Sequence, residues 1–208
     1  MWKAIATLLS VLGGSVLAMG LGCGGGAGPS PSSPACDQAC EDAVALRAFR
    51  ETLKQVFNGA LQMMPVGAQD KMYPCMPFGG TAHITGTVTS NANVGTTSVD
   101  LTYVLDHCHY IAVDTEPTQN YDMTLTGTAD EKGLIAVQPG TTTSLAITSD
   151  AMTFSGKVYS PPLPYPADAG EEAAAPDAAP GVACSVRVAQ DGNQLSGMIC
   201  GRTAGLAL

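Results

Sequence analysis

The chain has 208 residues, of which 45% are hydrophobic, 13% are charged and 5% are aromatic. It carries 18 acidic side chains against 9 basic ones and has a formal net charge of −9, so it would repel a phosphate backbone. This balance argues against a nucleic-acid-binding protein, and the many Gly, Thr, Ser and Ala residues favour strands and turns over helices. The length suits one domain with a sizeable core.

The first 22 residues have the pattern of an export signal. Lys3 precedes an apolar run over residues 4–19, which is shorter than the ~20 residues that span a bilayer as a helix. The run closes on the small residues of the 20–22 segment, Gly-Leu-Gly, directly before Cys23. This segment resembles that of a bacterial lipoprotein precursor, whose lipobox is a Leu, two small residues and a lipid-accepting Cys. Here Gly20 stands at the usual Leu position.

The resemblance implies that residues 1–22 are removed and that Cys23 becomes a lipidated N-terminus. The thiolate would carry a diacylglyceryl group, with acyl chains such as palmitate, that binds a membrane of the bacterial cell envelope, on the periplasmic or surface side of the outer membrane. One acyl chain binds only marginally, whereas two or more anchor stably. Two alternatives stay open: a soluble secreted protein cut after residues 18–20, Ala-Met-Gly, and an uncleaved membrane anchor.

The cysteine count agrees with lipidation, because assigning Cys23 to a lipid leaves six of the seven cysteines. An even set suits disulfides outside the cytoplasm. Cys184 and Cys200 are equidistant from Gly192, so a three-residue loop over 191–193 would place their sulfurs opposite each other, whereas a two-residue Asp-Gly turn would place them on opposite faces. We favour this bond, together with the pairs Cys75–Cys108 and Cys36–Cys40.

The mature chain reads as one domain on a tether. Residues 24–34 are rich in Gly, Ser and Pro and form a flexible spacer. Residues 35–208 form the domain, which begins with an amphipathic helix over 37–64, ending at Asn58-Gly59 or before Pro65. Its apolar stripe is Leu46, Phe49, Leu53, Val56, Ala60 and Met64, and its opposite side is Arg47, Arg50, Glu51 and Lys54. A Pro- and Ala-rich stretch near 160–181 predicts a disordered insertion.

Beyond a loop over 69–80, the apolar period changes to two and predicts strands. The predicted strands cover 81–90, 97–110, 120–129, 143–149, 151–159, 182–190 and 194–201. The predicted turns between them include 131–133, Glu-Lys-Gly. Short strands without intervening helices favour an antiparallel meander. The fold class is therefore mostly β: a curved antiparallel meander sheet with one N-terminal amphipathic helix packed on it.

Four strand segments share an apolar–hydroxyl–Gly core. Their glycines are Gly86, Gly127, Gly156 and Gly197. A glycine weakens a strand unless a bulge, a bend or a close neighbour needs the room. We expect these four to serve close packing in a curved sheet. The alternative is that they clear a pocket for an apolar ligand.

Asp106-His107-Cys108-His109 is the cluster with the most metal-binding character. In an extended strand, His107 and His109 would share a face with Leu101, Tyr103 and Leu105, and Cys108 would point the other way. Two imidazoles on one face can meet one metal, but the third ligand would have to be Asp114 or His83. A pair of half-buried histidines without metal is the simpler interpretation, and no cofactor is expected.

No catalytic template fits the chain: there is no phosphate loop, dinucleotide fingerprint, H-E-x-x-H motif or nucleophile elbow. We therefore expect a non-enzymatic, lipid-anchored envelope protein with a structural, adhesive or partner-binding role. Its cysteine and glycine layout from Cys108 to Gly201 is similar to that of uncharacterised β-rich envelope lipoproteins. The alternatives are a binding module for an apolar small molecule or lipid, and a metal site at His107 and His109.

Overall fold

The computed structural model describes residues 38–61, 66–112, 121–158, 181 and 183–208. In this part of the chain one helix is followed by eight strands, so the prediction of a mostly β protein is confirmed. The elements are α1 (Gln38–Leu61), β1 (Gly67–Pro74), β2 (Thr81–Asn91), β3 (Thr96–Ala112), β4 (Tyr121–Ala136), β5 (Ser144–Val158), β6 (Ala183–Asp191), β7 (Gln194–Ile199) and β8 (Arg202–Ala207).

All eight strands belong to one open antiparallel sheet, in which each strand pairs with the next along the chain. The predicted antiparallel meander is thus confirmed. Two of its connections are two-residue hairpin loops, Gly192-Asn193 and Cys200-Gly201. Cys200 and Gly201 both have positive φ angles, 51° and 78°, as a type I′ turn requires.

The helix α1 buries four residues of the predicted apolar stripe, and a fifth, Ala60, is partly buried. Leu46, Phe49, Leu53 and Val56 are fully buried, and they form one hydrophobic cluster with buried side chains of the strands. A second set on the helix is buried as well: Asp42, Val44, Ala48, Arg50 and Thr52. The prediction that Arg50 faces solvent is therefore wrong. Residues 37 and 62–65, at the predicted helix ends, lie outside the described residues.

Two strands carry β-bulges that the alternating pattern did not reveal. In β3 the pairing with β4 shifts between Leu105 and Cys108. In β5 the pairing shifts against both neighbours around residues 150–151, so the two strands predicted over 143–149 and 151–159 are one bulged strand. Each bulge adds one residue and reverses the alternation of side chains beyond it.

Three further predictions at the sheet are wrong. The loop expected over 69–80 begins only after β1, a polar edge strand whose mostly exposed side chains lack the alternation of a half-buried strand. The turn expected over 131–133 lies inside β4, because Glu131 is buried and pairs with the helix. The strand expected over 194–201 ends at Ile199, where the Cys200-Gly201 turn leads into β8.

The four glycines of the repeated segments lie where a neighbouring strand approaches closely. All four have φ angles between 123° and 153°, in a region that L side chains rarely adopt. A Cβ atom at each would overlap a carbonyl oxygen of the adjacent strand; at Gly197 that oxygen belongs to Arg187. The space beside these glycines is therefore filled by backbone. This agrees with close packing and not with a pocket lined by the glycines.

We expect Gly197→Ala to lower the free energy of unfolding by about 2 kcal/mol or more, because the new methyl group meets the Arg187 carbonyl and the backbone angle is strained. Gly205→Ala in the next strand is the matched control, since its nearest non-local atom would lie 3.4 Å away. The control should change stability by less than ~0.5 kcal/mol. Denaturant titration measures both values, and equal losses would contradict the close-approach explanation.

Candidate functional site

Two disulfides connect distant parts of the sheet. Cys75, directly after β1, is bonded to Cys108 in β3 with a Cα–Cα distance of 5.2 Å. Cys184 in β6 is bonded to Cys200 in the β7–β8 turn with a Cα–Cα distance of 4.8 Å. Both predicted pairings are therefore present. Cys23 lies outside the described residues, so its lipidation stays a prediction. Cys36, the predicted partner of Cys40, also lies outside them, so the third disulfide stays a prediction.

The Cys184–Cys200 bond forms in a geometry that differs from the predicted one. Asp191 pairs with Gln194, so the loop has two residues rather than three. The N–H of Cys200 donates to the carbonyl of Ser185 rather than lying opposite Cys184. The left-handed backbone of Cys200 in its own turn, with a φ of 51°, compensates for this offset. The pairing was predicted correctly, but the reason given for it is wrong.

The bulge in β3 decides where the two candidate metal-binding histidines lie. His107 has a φ of 53° at the bulge and is exposed, and His109 is partly exposed. Cys108 is fully buried, like Leu105 before the bulge. The prediction that Cys108 faces away from Leu105 and that the histidines share its face is therefore wrong, because the extra residue reverses the alternation.

Each of the three histidines lies against one aspartate. The pairs are His83–Asp70, His107–Asp106 and His109–Asp122, each with a nitrogen–oxygen distance of 2.6 Å. Among the residues that the structure describes, no group of three or more His, Cys, Asp or Glu could hold a metal ion. Asp114, one of the two suggested third ligands, lies outside them. Within the part of the chain that the structure describes, the suggested metal site at His107 and His109 therefore has no third ligand.

The most unusual polar group in the described chain is a buried cluster between the helix and the sheet. Arg50 of α1 donates from Nε to Oε1 of Gln190 in β6 at 2.6 Å. Its Nη1 lies 3.5 Å from Oε1 of Glu131 in β4. Tyr103 of β3 donates its hydroxyl to Oε2 of Glu131 at 2.6 Å. All four side chains are more than nine-tenths buried, so charges and hydrogen-bonding groups lie where apolar packing is the rule.

The surroundings of Tyr103 keep its hydroxyl protonated. Burial raises its pKa well above the usual value, and the negative charge of Glu131 raises it further. The phenol therefore acts as a hydrogen-bond donor at any physiological pH and holds one oxygen of Glu131. The other oxygen, Oε1, has no hydrogen-bond donor among the described residues. Arg50 lies too far from it for more than an ion pair.

A cavity of about 400 Å³ opens beside this cluster. Its wall includes Arg50, Glu131 and Gln190 from the cluster and Phe57 and Asn58 from the second half of α1. Lys54 and Glu51, which form an ion pair at 3.3 Å, also line it. The cavity wall is mostly charged and polar, with Phe57 and Ile135 among its apolar side chains, so it is more polar than the usual small-molecule pocket.

A second cleft lies at the other end of the helix, beside a strong ion pair. Arg202 of β8 donates from Nε and Nη2 to the two carboxylate oxygens of Asp42, both at 2.7 Å. Hydrogen bonding to Arg202 lowers the pKa of Asp42, although burial opposes the shift. The same bonds raise the pKa of Arg202. This ion pair connects the first turns of α1 to β8.

Sequence reasoning missed Arg50 and Glu131, the central residues of the cavity. A signal for Glu131 existed, because it continues the odd-numbered apolar positions of β4 that include Leu125 and Ala129. The Glu-Lys-Gly composition is typical of a turn, and the prediction followed it rather than the alternation of apolar positions. Arg50 had no comparable signal, since it lies next to Glu51 and Lys54 on the charged side of the helix pattern.

We expect Asp42→Asn to lower the free energy of unfolding near neutral pH, because it removes the carboxylate charge that pairs with Arg202. The folded pKa of Asp42 is below its unfolded value, so the stabilisation is complete above about pH 5 and is lost as the pH falls through the folded pKa. The difference in unfolding free energy between wild type and variant should therefore shrink below about pH 4.

Asp150→Asn is the control. Asp150 pairs with Arg187 while its side chain is 94% exposed, and exposed ion pairs contribute little to stability. Chemical denaturation at several pH values measures this, and a pH-independent difference for Asp42→Asn would contradict the assignment.

No helix among the described residues is both long and apolar enough to cross a membrane. No protein-family model matches the chain, and neither a curated protein nor a solved structure matches it.

Proposed function

We propose that the protein is a lipid-anchored domain of the bacterial cell envelope with a binding or structural role and without catalysis. The observation that carries this proposal is the pair of disulfides, Cys75–Cys108 and Cys184–Cys200. Disulfides persist outside the reducing cytoplasm, which supports an exported protein. With these four cysteines paired and Cys36 assigned to Cys40, Cys23 is the cysteine left for a lipid.

In this proposal the sheet curves around the helix. Both edge strands, β1 and β8, contact α1. A helix of 24 residues is ~36 Å long and therefore reaches both edges of an eight-stranded sheet. The buried positions of α1 also extend around most of its circumference. This burial supports a concave sheet face that encloses the helix.

The proposed anchor gives the domain its place and the tether its reach. Two or more acyl chains on Cys23 would bind the membrane stably, and residues 24–34 would let the domain stand away from the surface. The domain would then meet envelope proteins or small molecules from the periplasmic or outer side. The apolar-ligand alternative gains no support, because backbone fills the space at the four glycines and the cavity beside Arg50 has charged walls.

We expect the intact mass of the protein, purified from a bacterial host with detergent, to correspond to a chain that begins at Cys23 and carries acyl chains. The mass should also be six hydrogens lower than that of the fully reduced chain, one pair for each of three disulfides. Cys23→Ala should abolish acylation and move the protein from the membrane fraction to the soluble one.

The control is Gly24→Ala, which changes the neighbouring tether residue and keeps the sulfur atom. Its mass should still include the acyl chains. An unacylated Cys23 in the wild-type protein, or a Cys23→Ala variant that is cleaved before residue 23 and yet stays in the membrane fraction, would contradict the proposed anchor.

A further inference from the structure

The cavity beside Arg50 has the features of a built site rather than of a packing defect. Its volume of about 400 Å³ lies within the ~300–1,000 Å³ of small-molecule pockets. It adjoins Glu131, which is 1% exposed and whose Oε1 has no hydrogen-bond donor among the described residues. Nη1 of Arg50, 3.5 Å away, compensates this oxygen as an ion pair without a hydrogen bond, so a ligand that supplies an O–H or N–H group would add the missing bond.

The charges of the cavity wall are balanced. Arg50 lies 3.5 Å from Glu131, and Lys54 lies 3.3 Å from Glu51. Two positive and two negative side chains therefore cancel, so the side chains of the wall carry no net charge. This balance favours a neutral ligand that forms hydrogen bonds over an amine or a carboxylate.

The remaining wall offers groups that suit hydroxyls. Asn58 and Asn193 present side-chain amides, each with donors and an acceptor. Thr143 accepts a bond from the N–H of Ala136 and keeps its own hydroxyl hydrogen for a ligand. Since a hydroxyl both donates and accepts, one ligand with several hydroxyls could meet Glu131 as a donor and the amides in either role.

Apolar surface lies next to these polar groups. Phe57, which is partly buried, and Ile135 line the same cavity. A flat aromatic ring beside carboxylate and amide groups matches a ring-shaped ligand that has an apolar C–H face and a polar rim. A pyranose sugar has both.

We propose that this cavity binds a neutral saccharide unit, with a sugar hydroxyl donating to Oε1 of Glu131 and the ring against Phe57. The site would require a small shift of Arg50 or Glu131, because Oε1 is covered in the structure described. Arg50 and Tyr103 act as positioning residues: they hold Glu131 in place from the helix and from β3. This proposal goes beyond the envelope role and does not depend on the acylation of Cys23.

The test is an NMR titration of the full-length mature chain, labelled with ¹⁵N and held in a detergent without a sugar headgroup. D-glucose, D-galactose and N-acetyl-D-glucosamine serve as probes, and butylamine and acetate represent a cation and an anion. We expect saturable shifts of the side-chain amide signals of Asn58, Asn193 and Gln190 with at least one sugar. We expect no shifts of these signals with butylamine or with acetate.

Asn58→Trp should fill the cavity and weaken sugar binding by at least about tenfold. Gln55→Trp is the matched control, because Gln55 is an exposed residue of the same helix and is not part of the cavity wall; it should leave binding unchanged. If Asn58→Trp does not fold, the wild-type shift map alone locates the site.

Three results would overturn the proposal. The first is the absence of saturable shifts with all three sugars at millimolar concentration. The second is sugar binding that Asn58→Trp leaves unchanged or that shifts signals elsewhere. The third is binding of butylamine or acetate in the cavity in place of the sugars. None of these results bears on the mass of the acylated chain, so the two proposals fail separately.

Discussion

The arrangement of helix and sheet depends on the buried guanidinium of Arg50. Its partners Gln190 and Glu131 lie on β6 and β4, and Tyr103 of β3 binds the far oxygen of Glu131. A buried charge without partners costs several kcal/mol, so a rotation or a shift of the helix that separated Arg50 from Glu131 would be unfavourable. Apolar side chains stabilise the contact, and we infer that Arg50 favours the helix orientation that keeps it beside Glu131 and the cavity.

Regular and bulged stretches of the strands decide which side chains are buried. The bulges of β3 and β5 reverse which side chains are buried, whereas β4 keeps one alternation from Tyr121 to Glu131. Tyr103 lies before the bulge of its strand and is a diagonal neighbour of Glu131, which pairs with Leu101. Beyond the bulge, Cys108 is buried and reaches Cys75. The bulge thus lets one strand serve both the polar cluster and a disulfide.

The sequence predicts the fold class and the disulfide pairs better than the site. Period-two alternation and turn residues indicate a meander because those signals are local. A bulge has no local signal, so the faces of His107 and Cys108 were predicted wrongly. The burial of Arg50 depends on a carboxylate 81 positions away, Glu131, and no pattern within the helix contains that partner. The Glu-Lys-Gly composition predicts a turn at Glu131, but the tertiary contacts of its buried side chain favour a strand, and a strand is what forms.

The most direct test of this account is a double-mutant cycle between the helix and the sheet, with Arg50→Met and Glu131→Gln. If the two side chains meet in the buried cluster, each single variant loses up to about 3–5 kcal/mol of unfolding free energy, because it leaves the other charge unpaired. The double variant should then be more stable than the sum of the two losses predicts, by about 1–3 kcal/mol. Losses that add to within ~0.5 kcal/mol would contradict the account, because they would mean that Arg50 and Glu131 do not interact in the folded protein.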